Sequence, residues 1–394
     1  MKKQTQAIHL EYERRDAYDS LSVPVYNTLA YEFDNAAVMA EAFTDKIKAP
    51  DYSRVENPTV TNLERRVAAL TDAAHATAFN SGMAAISNTL MALAAQGKNI
   101  VTSKHLFGNT YALLVATLRR FGVKVRLRDL TNIEAVREAI DDDTCCVFLE
   151  ILTNPQLEVA DLKAISEVAH EKNVPLVVDS TVIPFTQFSA KSLGVDIEVV
   201  SSSKYVSGGA TSLGGLVIDY GTPYNGDFAK RLYGEMLFNF GAYMTPQVAY
   251  MQTIGLETLD ARYRVQSGNA LELAKKLRSL PQIKYVNYVG LEDNPYHELA
   301  QRQFGKTAGA MICIDLESKE ACFSFLNNLK LIHRATNLFD NRSLAIHPAS
   351  TIFGAFSENM RKSMDVKDTT IRLSVGLEDV DDLFEDIKQA VDSL

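Results

Sequence analysis

The chain has 394 residues, of which 46% are hydrophobic and 23% charged, and its formal net charge is -9. This length is enough for two or three compact units with a large buried core. The acidic balance, without a compensating basic stripe, argues against nucleic acid and anionic membranes as partners. Polar residues follow Met1, so we predict no secretory signal. The four cysteines show no CxxC spacing, which favours reduced thiols in a cytoplasmic protein.

Residues 1–58 form the first region, which has three prolines and no sustained hydrophobic period. We expect an arm of short elements that lies on another part of the protein, and the family resemblance described below implies that this part is a neighbouring subunit. From residue 59 to 244, short apolar runs alternate with segments of helical period, which predicts an α/β unit with a mostly parallel sheet. The predicted helices are 61–70, 82–95, 109–121 and one that Asp161 caps, and the predicted strands are 99–102, 123–125, 145–150, 174–179, 197–201 and 213–219.

A different pattern begins near Thr245 and continues to the end of the chain. One long helix is predicted over 245–280, with only Gly255 and Gly268 to interrupt it. Strands at 283–289, 311–316 and 370–375 and helices at 321–329 and 380–391 follow. Residues 245–394 are therefore predicted to form a smaller α+β domain.

Three short segments carry residues suited to chemistry. Asp179 directly follows an apolar strand, and a buried carboxylate needs a cation such as a protonated pyridine, although it could also cap the next helix. Lys204 follows three serines, and a buried lysine with a low pKa can form an imine, although a solvated lysine in a serine-rich loop fits too. Gly82 opens an apolar helix, whose N-terminal N–H groups can bind a phosphate, although a plain tight turn is equally compatible. Together the three favour pyridoxal phosphate (PLP), and no metal site is predicted.

These segments and several others make the chain resemble the Cys/Met-metabolism family of PLP enzymes, which includes cystathionine γ-synthases, methionine γ-lyases and O-acyl-homoserine sulfhydrylases. The resemblance runs nearly end to end and implies PLP-dependent transferase fold type I. Its motifs are Tyr52-Ser53-Arg54, Asn57-Pro58-Thr59, Ser81-Gly82-Met83-Ala84-Ala85, Asn154-Pro155, the run from Ser201 to Gly209, Gly255-Leu256-Glu257-Thr258-Leu259, His347-Pro348-Ala349-Ser350-Thr351 and Arg372-Leu373-Ser374-Val375-Gly376.

The resemblance also implies a role for each matching residue. Lys204 would hold PLP as a Schiff base and move protons, while Asp179 would hold the pyridinium nitrogen. Arg372, with Asn337, would bind the substrate carboxylate, and His347 would brace its loop. The cofactor phosphate would contact Ser81, Gly82, Met83, Ser201 and Ser203, together with Tyr52 and Arg54 from a neighbouring subunit, and Asn154 would lie near the phenolic oxygen. Shared sites imply a homo-oligomer, with a tetramer built as a dimer of dimers expected.

Departures from the family pattern guide the choice of reaction. Phe107 stands where the family usually has a ring-stacking tyrosine, and it can stack but cannot transfer a proton; Tyr111, one turn later, is an open substitute. Asn109 and Thr336 also differ from the residues of methionine γ-lyases and cystathionine enzymes. Phe339 replaces a usual glycine, and we expect its ring close to the substrate.

These departures favour one reaction over two alternatives. We expect sulfide to replace the acyl group of O-acetyl- or O-succinyl-homoserine, giving homocysteine. One alternative is a methionine γ-lyase or a related β- or γ-elimination enzyme. The other is a PLP-binding regulator or scaffold that has lost catalysis.

Overall fold

The computed structural model describes residues 1–10, 16–44, 46–306 and 308–394. Within them the strands are β1 His75–Phe79, β2 Asn99–Thr102, β3 Lys124–Leu127, β4 Thr144–Glu150, β5 Leu176–Asp179, β6 Ile197–Val200, β7 Gly215–Asp219, β8 Tyr285–Asn287, β9 Met311–Asp315, β10 His333–Arg334, β11 Leu344–Ile346 and β12 Thr370–Ser374. The α-helices are α1 Lys3–His9, α2 Ala36–Ala42, α3 Pro58–Thr71, α4 Gly82–Leu93, α5 Gly108–Ala112, α6 Ile133–Ala139, α7 Leu162–His170, α8 Phe228–Arg231, α9 Phe238–Phe240, α10 Pro246–Glu257, α11 Leu259–Leu277, α12 His297–Phe304, α13 Lys319–Asn328, α14 Glu358–Ser363 and α15 Val380–Val391.

The larger sheet has the strand order β1-β7-β6-β5-β4-β2-β3. Neighbouring strands from β6 to β3 are parallel, and β7 is antiparallel to both β6 and β1. The predicted α/β fold with a mostly parallel sheet is confirmed. The sequence analysis missed β1, whose partly exposed and mostly small residues leave little apolar signal.

Both faces of this sheet are covered, which explains the nearly continuous apolar strands. Along β4, Cys146 and Phe148 belong to a core cluster that includes residues of α4, whereas Val147 and Leu149 belong to a second cluster that includes residues of α7. This alternation follows from the two-residue period of a strand. The side chain of Asp161 accepts the N–H of Ala164, so the predicted cap of α7 is confirmed.

The prediction of one helix over 245–280 was wrong, because α10 ends at Glu257 and α11 begins at Leu259. The break is at Thr258, where φ is -103° and ψ is 2°, and the hydroxyl of Thr258 accepts a hydrogen bond from Nε of Arg262. Gly255 does not interrupt the helix. It permits close packing, since a Cβ there would lie 2.0 Å from the carbonyl oxygen of Val206, two residues after Lys204.

The smaller sheet has the strand order β10-β11-β12-β9-β8 and lies in the C-terminal part of the chain, as predicted. The pair β10 and β11 is parallel, and the other neighbours are antiparallel. Strands β10 and β11 escaped prediction because they have only two and three residues, too few to show a period. In the described part of the chain, no helix combines the length and apolarity that crossing a membrane requires.

The first helix lies on this chain's own large unit. Nζ of Lys3 donates to the carbonyl of Phe188 at 2.9 Å, and Nη1 of Arg66 donates to that of Ala7 at 2.6 Å. At least α1 of the expected arm therefore packs against its own chain. Contact of the arm with a neighbouring subunit stays a prediction, and its residues 11–15 and 45 lie outside the described residues.

Candidate active site

The carboxyl ends of β4, β5 and β6 bring the predicted acid and the serine segment together. Oδ1 of Asp179 accepts the N–H of Thr181 at 3.0 Å, and the Thr181 hydroxyl accepts the N–H of Ser201 at 2.8 Å. Burial raises the pKa of Asp179. Asp179 is half-buried, and a carboxyl in such a position at this edge of the sheet suits a cationic ligand, as expected from the sequence.

Lys204 lies in the loop after β6 and points to the loop that precedes β11. Its Nζ donates to Oδ1 of Asn337 at 2.7 Å. Burial, followed by the charge of Arg372, lowers the pKa of Lys204 to about 8. A lysine with this pKa is neutral far more often at physiological pH than a surface lysine, and the neutral amine is the nucleophile.

An anion cradle lies at the start of α4. The hydroxyl of Ser81 caps the helix by accepting the N–H of Ala84 at 3.1 Å. A Cβ on Gly82 would lie 2.6 Å from Cβ of Ser201, so only glycine permits this contact. The first N–H groups of a helix have no partner within the helix, and here they include those of Gly82 and Met83.

Ser203 differs from the other predicted phosphate ligands. Its hydroxyl donates to the carbonyl of Gly214 at 3.1 Å and accepts the N–H of Gly214 at 2.9 Å. These two bonds close the loop that carries Lys204. The structure thus gives Ser203 a local partner, and its contact with a phosphate stays a prediction.

Arg372 is 2% exposed on β12. Its Nη1 donates to Oδ1 of Asn154 at 3.1 Å, and its Nη2 donates to the carbonyl of Asn337 at 3.3 Å. Nε of Arg372 is buried and has no hydrogen-bond partner among the described residues. Burial lowers the pKa of Arg372 to about 10, which still leaves it protonated at neutral pH. A buried guanidinium with an unused donor fits a carboxylate ligand.

Phe107 and Tyr111 occupy the segment after β2. The N–H of Phe107 donates to Oε1 of Glu150 at 2.5 Å. The ring of Tyr111 lies edge-on to that of Phe356, at 5.9 Å, in an apolar cluster that includes Phe353. The predicted helix 109–121 begins at Gly108 and continues through a π turn, Leu113–Thr117, and a 3-10 turn, Leu118–Phe121.

Tyr52 and Arg54 contact each other on the N-terminal arm. Tyr52 is 41% exposed, and the Arg54 guanidinium carbon lies 5.4 Å from the centre of its ring. Nη1 of Arg54 donates to the carbonyl of Phe238 at 2.6 Å. Both residues line a cleft of about 1180 Å³. Their access to a neighbouring subunit's phosphate stays a prediction.

The expectation that the Phe339 ring lies beside the substrate was wrong. The ring is fully buried and stacks on that of Tyr205, with centroids 4.0 Å apart and planes 9° from parallel. Phe339 has a φ of 57°, and its N–H donates to the hydroxyl of Ser374 at 2.7 Å. The left-handed backbone turns the ring into the core, where it supports the residue after Lys204.

His347 holds its own loop, as predicted. Its Nδ1 accepts from the hydroxyl of Ser350 and its Nε2 donates to the carbonyl of Asp368, both at 2.8 Å. Burial lowers the pKa of His347, which favours this neutral form. With both ring nitrogens engaged, His347 is not placed to act as a base.

Sequence reasoning missed a cluster around His105. Its Nδ1 lies 2.5 Å from Glu158, and its Nε2 lies 2.8 Å from Asp365, which also pairs with Lys104 at 2.7 Å. Asp365 follows α14 in the C-terminal part of the chain, so the cluster joins the Phe107 segment to that part. The local sequence carries no signal for it, because the partners are 53 and 260 positions away.

The cluster predicts a pH-dependent stability. Burial lowers the pKa of His105, but the carboxylates of Glu158 and Asp365 outweigh it, so the net pKa is raised. A raised folded-state pKa stabilises the protein below the unfolded pKa, and this contribution is lost as pH rises through the folded pKa. We expect His105→Gln to lower unfolding free energy by about 1–3 kcal/mol at pH 6 and by much less at pH 9. Thermal unfolding at pH 6 and pH 9 measures this difference, and His333→Gln, at an exposed histidine, is the control. An equal loss of unfolding free energy at the two pH values would contradict the proposed role of His105.

The chain is similar to known proteins over nearly its whole length. The family of Cys/Met metabolism PLP-dependent enzymes matches residues 4–392. An L-methionine gamma-lyase of Fusobacterium nucleatum is 37% identical over 99% of this chain and 98% of its own. An O-acetyl-L-homoserine sulfhydrylase of Corynebacterium glutamicum is 32% identical over 98% and 95%. A solved Campylobacter jejuni structure, assigned as an O-acetylhomoserine (thiol)-lyase and containing N'-pyridoxyl-lysine-5'-monophosphate, is 34% identical, covers 100% of both chains and has a TM-score of 0.95.

Proposed function

Because the chain belongs to the family of Cys/Met-metabolism PLP-dependent enzymes, we propose that it is an O-acyl-homoserine sulfhydrylase. Sulfide replaces the acyloxy group at Cγ of O-acetyl- or O-succinyl-homoserine: the Cγ–O bond breaks, a Cγ–S bond forms, and homocysteine and a carboxylate leave. The observation that carries this proposal is Phe107, which has no hydroxyl at the position of the stacking ring. A carboxylate leaves as a stable anion, whereas a thiolate benefits from an acid.

The residues present fit PLP. The N-terminus of α4 and Ser201 offer donors to a phosphate, and Asp179 offers a half-buried carboxyl to a ring nitrogen. Lys204 offers an amine of lowered pKa to an aldehyde. When bound, PLP supplies an electron-withdrawing ring that stabilises negative charge at the substrate's Cα.

Three side chains of this protein have separate roles in the proposed reaction. The guanidinium of Arg372 binds and orients the substrate carboxylate through the donor that is free, Nε, and through Nη2. Nζ of Lys204 takes the proton from Cα and returns it at the end of the cycle. Asn337 holds Nζ in position before the substrate arrives.

The site is completed by a second copy of the chain in this proposal. Tyr52 and Arg54 line an open cleft, which supports the proposal that they bind the phosphate in a partner's site. This arrangement supports at least a dimer, and a tetramer would pair two such dimers. The four cysteines are free thiols, which supports a cytoplasmic setting.

Methionine γ-lyase is the second candidate, and the 37% identity to such an enzyme favours it. The purified protein is assayed with O-acetyl-homoserine plus sulfide and, separately, with methionine. Homocysteine formation without 2-oxobutyrate release supports the sulfhydrylase. Fast release of 2-oxobutyrate from methionine would overturn it.

Phe107→Tyr tests the role of the missing hydroxyl. We expect this change to raise 2-oxobutyrate release from methionine by about 10²-fold, because the phenol can protonate the leaving thiolate. Turnover of O-acetyl-homoserine should change far less. Steady-state kinetics on both substrates measures the difference, and Phe121→Tyr, at an exposed ring, is the control. An equal gain on both substrates would count against this role.

A further inference from the structure

We infer that Glu150 is a positioning residue of the cofactor site, one that fixes the segments carrying Phe107 and Asn154 and adds its negative charge to that of Asp179. Sequence reasoning passed over Glu150 because it closes an apolar strand and was counted as part of it. This inference rests on PLP binding at Lys204 and goes beyond the proposed reaction.

The strand register places Glu150 beside Asp179. β4 and β5 are parallel neighbours, and Glu150 is the register partner of Asp179. Paired residues of adjacent strands lie on the same face of a sheet. The two carboxyls therefore share the face and the edge at which the predicted cofactor ring meets Asp179, and Glu150 is only 7% exposed.

The Glu150 carboxylate also contacts the backbone of the segments that follow β2 and β4. Glu150 accepts the backbone N–H of Phe107 at 2.5 Å, and the backbone N–H of Asn154, four residues after Glu150, lies close enough to act on the same carboxyl. Phe107 is the ring expected to stack on the cofactor, and the amide of Asn154 contacts Arg372. One carboxyl thus joins the stacking ring, the strand end and the residue that orients the substrate-binding arginine.

The charge of Glu150 depends on that of Asp179. Burial, followed by the charge of Asp179, raises the pKa of Glu150 to about 8. Two adjacent carboxyls resist full ionisation, as paired acids do, until a cation is placed beside them. A protonated ring nitrogen held by Asp179 would supply that cation, and Glu150, once ionised, would help to keep the proton on it.

Two variants distinguish the hydrogen-bonding role of Glu150 from the effect of its charge. Glu150→Gln keeps a carbonyl acceptor but removes the charge, and we expect the pH midpoint of the bound cofactor's visible absorbance to fall by about 1 unit. Glu150→Ala removes the acceptor as well, and we expect PLP affinity to fall by about 10- to 100-fold and the visible circular dichroism of the bound cofactor to weaken. Titration with PLP, absorbance and circular dichroism measure these changes in the full-length protein.

Glu64→Gln is the matched control. Glu64 also accepts one backbone N–H, from Ala78 at 2.8 Å, and burial raises its pKa to about 8, but it lies on α3. Its variant should keep the wild-type absorbance midpoint. If Glu150→Gln keeps that midpoint and Glu150→Ala keeps wild-type affinity and dichroism, the role of Glu150 is refuted while PLP binding stands. Failure of the unmodified protein to take up PLP would instead refute the proposed function.

Discussion

Lys204→Ala is expected to abolish turnover of O-acetyl-homoserine, with a loss of about 10⁴-fold or more. Alanine removes both the amine that binds the cofactor covalently and the base that takes the Cα proton. The loop itself should persist, because Ser203 closes it through Gly214. Single-turnover assays and the visible absorbance of the protein with PLP measure the loss. Residual activity within 10-fold of wild type would contradict the assignment of Lys204.

The same variant tests the shared site. Arg54→Ala should also lose most activity if its guanidinium serves a partner's phosphate. Mixing and re-annealing the two inactive proteins should then restore part of the activity, since a mixed dimer contains one site in which both residues are intact. No recovery in verified mixed dimers would confine Arg54 to its own chain.

Arg372→Lys is expected to lower kcat/KM for the amino-acid substrate by about 10²- to 10³-fold, mostly through KM. Lysine keeps the charge but loses the planar fork that binds a carboxylate with two hydrogen bonds. Loss of this two-bond geometry costs about 3–4 kcal/mol, which at about 1.4 kcal/mol per tenfold corresponds to this range. Nε of Arg372 has no hydrogen-bond partner in the described part of the chain, and we propose it as one of the two donors to the substrate carboxylate.

Arg66→Lys is the matched control for Arg372→Lys. Arg66 is 6% exposed, and its Nη1 donates to the carbonyl of Ala7 and pairs with Glu257 at 3.2 Å. Its replacement should lower the thermal unfolding midpoint without changing KM. A similar rise of KM in both variants would show that general destabilisation, rather than lost carboxylate binding, explains the effect.

The sequence predicted the parts of the site that depend on one short segment. Asp179 and Gly82 each stand at the end of an element with a clear hydrophobic pattern, so their places at the sheet edge followed from topology. Lys204 follows a strand in the same way. Their assembly agrees with the order of elements, because β1 to β6 run in one direction and end at one edge of the sheet, whereas β7 runs the other way.

Features that depend on contacts between distant segments were not predictable. Glu150 looked like one more strand residue until the register placed it opposite Asp179. The bonds of His105 to Glu158 and Asp365 join segments that no local pattern connects. The break at Thr258 lies beside a contact of this kind, because the Arg262 guanidinium donates to the carbonyl of Tyr205, 57 positions away.

The buried Phe339 has a consequence for efforts to redesign substrate range. Its left-handed backbone costs about 1–2 kcal/mol, whereas burial of its phenyl ring contributes about 1.5–3 kcal/mol to folding. Phenylalanine in place of the family's usual glycine is therefore roughly neutral or slightly favourable for folding. The ring braces Tyr205 and is closed to small molecules. Mutant libraries that seek new thiol acceptors should therefore leave Phe339 untouched and randomise Phe107, Asn109 and Thr336 instead.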